Sequence, residues 1–251
     1  MDRRRPGPAT LWLVRHGESM GNVADAEAHA SGAGRLELDV RDPDVELSET
    51  GRAQAHALGR HLAGLPDDER PTAALSSPFN RALSTARLAT EGLDLRVRTD
   101  ERLRERDFGA FDGMTGAGIR EQYPDEAKRR DLLGKFYYRP PGGESWTDVA
   151  LRVRHVLVDL ASMHAGRRVW VFTHQAVIMS FRLVLEGLDE QRLLELDREE
   201  PLGNCSLTRY RRGADGTLEL VSFADTSHLA DSEAEETHES ARPEGADSHA
   251  S

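Results

Sequence analysis

Short apolar runs alternate with helical periods along most of this 251-residue chain, and that alternation limits the possible architecture more than any other feature. Strand-like runs fall at 11–14, 73–75, 95–98, 169–172, 206–210 and 218–223. The last two flank RRGADG, a composition suited to a hairpin turn. Between them lie helical segments. SETGRAQAHALGRHLAGL places Leu58, Leu62 and Leu65 at helical spacing, and NRALSTARLA gathers Ala82, Leu83, Ala86 and Ala89 on one face. SWTDVALRVRHVLVDL opens on an S-x-x-D cap at Ser145 and Asp148, then keeps a 3.6-residue period through Trp146, Val149, Val153, Val156, Leu157 and Leu160. AVIMSFRLVLEGL is apolar nearly all round, which predicts a buried helix. Strands and helices in this order build an α/β sandwich on a mostly parallel sheet. Two segments fit neither period. Residues 23–46, rich in Ala, Gly and Asp, read as a long loop of the kind that forms lids. Residues 109–143 contain a short helix candidate at 117–123, then KRRDLLGKFYYRPPGG, which reads as an insertion crossing the top of the sheet.

Composition narrows the function. A formal charge of −11 argues against a nucleic-acid surface. No apolar stretch is long enough to span a bilayer, and the N-terminus lacks the apolar core of a signal peptide, so no membrane partner is expected. The single cysteine, Cys205, has no internal disulfide partner, which points to a reducing, cytoplasmic setting. Residues 9–226 are expected to form one domain. Residues 1–8 and the acidic tail 227–251 hold too few large apolar residues to offset their ordering entropy, and disorder is expected for both.

The chemistry gathers where strands end. In open α/β sheets, ligands bind beyond the carboxyl ends of the strands. LWLV runs into Arg15 and His16, and VWVF runs into Thr173 and His174. The run at 73–75 leads through SSPFN to Arg81 in the first turn of a helix, where free N–H groups favour an anion. With Asn22, these residues make a cationic, donor-rich pocket that has no carboxylate cage for a metal. Guanidinium groups bind phosphate oxygens in pairs. A neutral imidazole among cations can attack phosphorus if its second nitrogen donates to a backbone carbonyl. An acid for the leaving oxygen is available in LRERDFGAFDGM as Glu105, with Asp107 as the alternative.

Taken together, LVRHGES…N, LSETGRAQA, SSPFNRALSTA, LRERDFGAFDG, PGGES and THQAV resemble the histidine phosphatase (phosphoglycerate mutase-like) superfamily over roughly residues 11–210. The resemblance implies a three-layer α/β/α sandwich. It also implies a histidine at His16 that becomes phosphorylated, a phosphate pocket at Arg15, Arg81 and His174 with a further contact at Asn22, and a proton donor at Glu105. A narrower likeness, in YPDEAKRRDLLGKFYYRPPGGESWTDV and THQAV, is to domains that hydrolyse fructose 2,6-bisphosphate. It places Tyr123, Arg130, Lys135, Arg139 and Gln175 at positions that hold a sugar bisphosphate. Where that branch carries an arginine five residues after the second histidine, this chain has Met179, with Arg182 one turn further on.

These readings converge on a phosphatase that needs neither metal nor cofactor and acts on a small phosphorylated metabolite through His16. Phosphoglycerate mutase-type transfer is the nearest alternative, and a non-catalytic module that binds a phosphorylated ligand is the alternative from another class.

Overall fold

The apolar runs sort their side chains by alternation, as strands covered on both faces must. The computed structural model describes residues 7–230 and 236–238. Its strands are β1 (Thr10–Arg15), β2 (Ala73–Ser76), β3 (Val97–Thr99), β4 (Arg168–Thr173), β5 (Leu207–Arg212) and β6 (Leu218–Asp225). They form one six-stranded sheet in the order β3-β2-β4-β1-β5-β6. Pairing is parallel from β3 to β1 and antiparallel for β1–β5 and β5–β6. The β5–β6 hairpin turns through the RRGADG segment, as its composition suggested. The helices are α1 (Met20–Ser31), α2 (Glu49–Gly64), α3 (Asn80–Ala89), α4 (Gly116–Gln122), α5 (Pro124–Tyr137), α6 (Trp146–Met163), α7 (Gln175–Glu186), α8 (Glu190–Glu199) and α9 (Ser227–Ala230). None is long and apolar enough to cross a membrane among the described residues.

Two cores result, one on each side of the sheet. Leu11 and Leu13 of β1 and Val169 and Val171 of β4 pack against α6 and α7. Trp12, Val14, Trp170 and Phe172 face the other way, onto Leu58 and Leu62 of α2 and Ala86 and Ala89 of α3. The layers are therefore α/β/α. Trp12 pairs with Trp170 across the sheet, and their rings stack at 4.8 Å. The cap read at Ser145 is present in full: the Ser145 hydroxyl accepts from Asp148 N–H, and Asp148 accepts from Ser145 N–H. The Ser145 hydroxyl and Ser145 N–H both donate to the Asp148 carboxylate, at 2.6 and 2.8 Å, and with Arg139 they hold it below the ordinary range even though burial opposes them.

Several expectations are corrected. Residues 23–46 are not a loop throughout, because α1 occupies the first part. Its buried side chains are only Ala24 and Ala28, so it has no large apolar stripe to reveal it. Most of KRRDLLGKFYY lies in α5, which breaks at Gly134 (φ 76°) and buries only Phe136. The described residues also include short pieces of both termini: the Gly7 carbonyl accepts from Gly166 N–H at 2.9 Å, and the Pro8 carbonyl accepts from Arg212 Nε at 3.0 Å. In the tail, α9 buries His228 and Leu229, and Gly203 bridges His238. Two buried side chains and a backbone pairing are enough to hold these short pieces. The rest of the disorder expectation, at 1–6, 231–235 and 239–251, lies outside the described residues.

After β1 the chain turns through Gly17, and this turn packs on the start of α2. A Cβ on Gly51 would lie 1.9 Å from the Glu18 carbonyl oxygen, and one on Gly17 would lie 2.6 Å from that of Gly51. Gly51→Ala must push backbone apart, so it is expected to cost about 1–3 kcal/mol. The loss should be read as a lower urea midpoint with an unchanged m-value. A wild-type midpoint would show that the turn has room to spare.

Candidate active site

Parallel pairing runs in register to the last residues of the two central strands, Arg15 opposite Thr173. His16 N–H then donates to the Thr173 carbonyl at 3.0 Å. The residue after each strand is a histidine, and the rings of His16 and His174 lie 5.1 Å apart. Both are buried, at 4% and 0% exposure. His16 Nδ1 lies 2.7 Å from the Gly17 carbonyl. A carbonyl only accepts, so Nδ1 carries the proton and Nε2 keeps its lone pair. The His174 Nε2 lies 2.8 Å from Ser77 Oγ, while its Nδ1 is buried without a hydrogen-bond partner among the described residues.

Arg15 and Arg81 supply positive charge. Arg15 is 1% exposed and donates to the Leu202 carbonyl. Arg81 opens α3 and is tied to the β1 turn through Thr85, whose hydroxyl accepts from Gly17 N–H at 3.0 Å and donates to the Arg81 carbonyl at 2.7 Å. Its guanidinium meets Asp42, in the segment between α1 and α2. Arg81 Nη1 lies 2.7 Å from the Asp42 carbonyl and 2.9 Å from its Oδ1, and Nη2 lies 3.3 Å from Oδ2. Burial, then Arg81 and Arg15, hold the His16 imidazole well below its usual value. Burial, then Arg81, His16, Arg152 and Arg15, do the same to His174. Both rings are neutral at pH 7.

The Glu105 segment is pinned beside β4. Thr173 Oγ1 donates to the Leu103 carbonyl at 2.7 Å. Arg152 of α6 donates to the carbonyls of Arg102 and Glu105 at 2.6 and 3.2 Å, and it pairs with Glu144. Glu144 also takes Arg104 at 2.7 Å. Glu105 Oε1 accepts from Arg106 N–H at 2.7 Å. Asn22 is the third residue of α1. Its Oδ1 accepts from Ser19 N–H at 3.0 Å, from the Ser19 hydroxyl at 2.9 Å and from Asn204 Nδ2 at 3.3 Å.

The remaining candidates are more scattered. Lys135 and Gln175 meet on Asp197 of α8, at 3.2 and 3.1 Å. Arg139 pairs with Asp148. Tyr123 is exposed, with its ring 5.1 Å from that of Phe111, and Arg130 lies on α5 near Tyr138. Met179 is in the core. Arg182 is committed to Glu186 and Glu200, with its guanidinium 4.0 Å from the Phe223 ring centroid, so it does not take the place of an arginine at position 179. Sequence reasoning missed Asp42, Ser77, Thr85, Asp197 and Asn204. Thr85 sits in the same helical stretch as Arg81; the others become neighbours of the site only through tertiary contact. Among the described residues, no three His, Cys, Asp or Glu side chains group as metal ligands.

Fold and site together define an α/β enzyme built around a buried histidine pair between arginines. The chain belongs to the histidine phosphatase superfamily (branch 1), whose family model matches residues 11–226. A 2,3-bisphosphoglycerate-dependent phosphoglycerate mutase of Gloeobacter violaceus is 32% identical over 221 residues, covering 85% of this chain and 90% of that protein. The fructose-2,6-bisphosphatase of Saccharomyces cerevisiae is 34% identical over 174 residues, covering 69% of this chain and 33% of that protein. Among solved structures, a mycobacterial glucosyl-3-phosphoglycerate phosphatase in complex with VO3 matches with a TM-score of 0.68 at 30% identity, covering 86% of this chain and 98% of that one.

His16 is therefore expected to show the Nδ1–H tautomer at pH 7 by long-range nitrogen NMR and to titrate well below 6.5. Folded values below the ordinary 6.5 mean that the unfolded chain binds more protons in the window beneath it. The contribution of the neutral rings to stability is then complete above that value and declines as pH falls through it. The unfolding temperature should drop between about pH 7.5 and pH 5. A His16 titration at or above 6.5 would contradict this electrostatic account.

Proposed function

We propose that this protein is a phosphatase that hydrolyses phosphate monoesters of small metabolites through a phosphohistidine at His16. The observation that carries the reading is the His16 ring: neutral, fixed by Gly17 with Nε2 unprotonated, and set among Arg15, Arg81 and His174. The Nε2 lone pair attacks phosphorus, and the ester P–O bond breaks with its electron pair on the leaving oxygen. Glu105 gives that oxygen its proton. The arginines and the His174 Nδ1 carry the charge that builds on the phosphoryl oxygens. When Ser77 donates to His174 Nε2, the ring proton sits on Nδ1, and a phosphoryl oxygen satisfies a nitrogen that is otherwise buried unpaired. Water then attacks phosphorus and loses its proton to Glu105, and the N–P bond breaks with its electrons back on Nε2. No step calls for a metal or cofactor. Asn22 contributes a further donor to the phosphoryl group. Of the residues assigned to the rest of the substrate, Lys135 and Gln175 share Asp197, and a remote anionic group would compete with that carboxylate. Tyr123, Arg130 and Arg139 complete the proposed substrate contacts.

Mutase transfer is kept as a second reading because mutases stand among the relatives. It shares the phosphohistidine and differs in the acceptor. A phosphate-release screen over sugar phosphates, phosphoglycerates and nucleotides in excess chelator decides between them. The expected result is stoichiometric free phosphate, an acid-labile phosphoenzyme and no turnover with His16→Ala. Isomerised phosphoglycerate without free phosphate would favour the mutase, and an active His16→Ala would overturn the mechanism.

Asp42 leads to a separate expectation. It holds both terminal nitrogens of Arg81, so an incoming phosphate meets a carboxylate already in place. Asp42→Asn removes that charge and should tighten competitive inhibition by inorganic phosphate about three- to tenfold. Weaker inhibition would show instead that Asp42 aims Arg81 at the substrate.

A further inference from the structure

The segment beyond β6 returns to the back of the site at Thr237. Asn204 N–H donates to the Thr237 carbonyl at 2.8 Å, and Gly203 bridges His238. The Thr237 hydroxyl accepts from Gln54 Nε2 at 3.0 Å and meets Asn204 Oδ1 at 3.2 Å. Beyond those two amides the chain of bonds reaches the β1 turn. Gln54 Oε1 accepts from Glu18 N–H at 2.8 Å. Asn204 Nδ2 donates to the His16 carbonyl and to Asn22 Oδ1, each at 3.3 Å.

Every direction in this chain is forced. Glu18 N–H only donates, so Gln54 turns its oxygen to Glu18 and its nitrogen to Thr237. The His16 carbonyl only accepts, so Asn204 turns its nitrogen to His16 and its oxygen to Thr237. An amide donor and an amide acceptor thus face one atom, and a hydroxyl is the side-chain group that serves both through a single oxygen. Gln54 and Asn204 are both 0% exposed, so an unmet amide on either carries the full cost of burial. The backbone accommodates this arrangement too. Cys205, just after Asn204, adopts φ 59°, and its N–H gives the His16 carbonyl a second donor at 3.0 Å.

We propose that Thr237 is a positioning residue, one that closes this chain and so holds the His16 backbone and the Asn22 amide in place. It rests on the roles proposed above for His16 and Asn22. The Asn22 Oδ1 is taken by Ser19 and Asn204, while its Nδ2 makes no hydrogen bond among the described residues and is the atom that reaches an anion. Thr237 acts on the reaction only through these neighbours.

The test compares Thr237→Val, which keeps the shape and removes both bonds, with Thr237→Ser, which keeps the hydroxyl, in the full chain. Hydrogen exchange is followed over residues 15–24, alongside kcat/KM for nitrophenyl phosphate and inhibition by inorganic phosphate. The valine variant should exchange faster in that segment, lose about tenfold in kcat/KM and bind phosphate more weakly. Serine should restore all three. The proposal is overturned by wild-type exchange in the valine variant, by a rise spread across the whole sheet, by a serine variant as impaired as valine, or by altered exchange with unaltered kinetics. If the wild-type protein releases no phosphate from any monoester, the functional proposal fails, and the exchange comparison alone still decides whether Thr237 holds the segment.

Discussion

Hydrogen bonding between β1 and β4 stays in register to the final pair, and the geometry of the site follows from where those strands stop. A one-residue slip between parallel neighbours would send alternate side chains to the opposite face. Here it would also separate His16 from His174. Register is secured by side chains too large to be misplaced: Trp12 against Trp170 on one face, Leu11 and Leu13 with Val169 and Val171 on the other. The precision of the site is thus set in the hydrophobic layers beneath it.

Holding two arginines and two histidines under cover is electrostatically unfavourable, and the structure meets that cost unevenly. The histidines become neutral, which is the response burial enforces on an ionisable ring with cationic neighbours. The arginines cannot lose their charge, so they take local acceptors instead: the Leu202 carbonyl for Arg15, Asp42 for Arg81. Neutral, tautomer-fixed rings beside partly compensated guanidiniums are the arrangement that results. Gly17 and Gly51 matter for the same reason, since their missing side chains let the turn after β1 settle onto α2 and bring His16 Nδ1 to its carbonyl.

Much of this was legible in the residues. Apolar runs located the strands to within a residue or two, Ser145 and Asp148 announced their helix, and a histidine just past each of two strand ends marked the edge where His16, His174, Arg15 and Arg81 meet. What escaped notice shares a cause. Helix α1 buries only alanines and α5 carries an internal break at Gly134, so neither displays a strong apolar period. Asp42, Asn204, Gln54 and Thr237 are ordinary polar residues whose partners lie far away in sequence. Local pattern carries no trace of such contacts. Thr237 is the sharpest case: nothing in the acidic composition around it marks a hydroxyl that meets two buried amides.

The stacked indoles of Trp12 and Trp170 have a consequence of another kind. Two of the three tryptophans in the chain lie in contact in the sheet, on the strands that end at the two histidines, and with ring planes inclined by 18° skewed transition dipoles at that spacing mix their excited states. The protein therefore carries a built-in optical marker of its own register, an exciton couplet in circular dichroism that exists only while the two central strands are correctly aligned. Its loss on heating or in denaturant would report the moment at which the histidines part, before any assay of chemistry could.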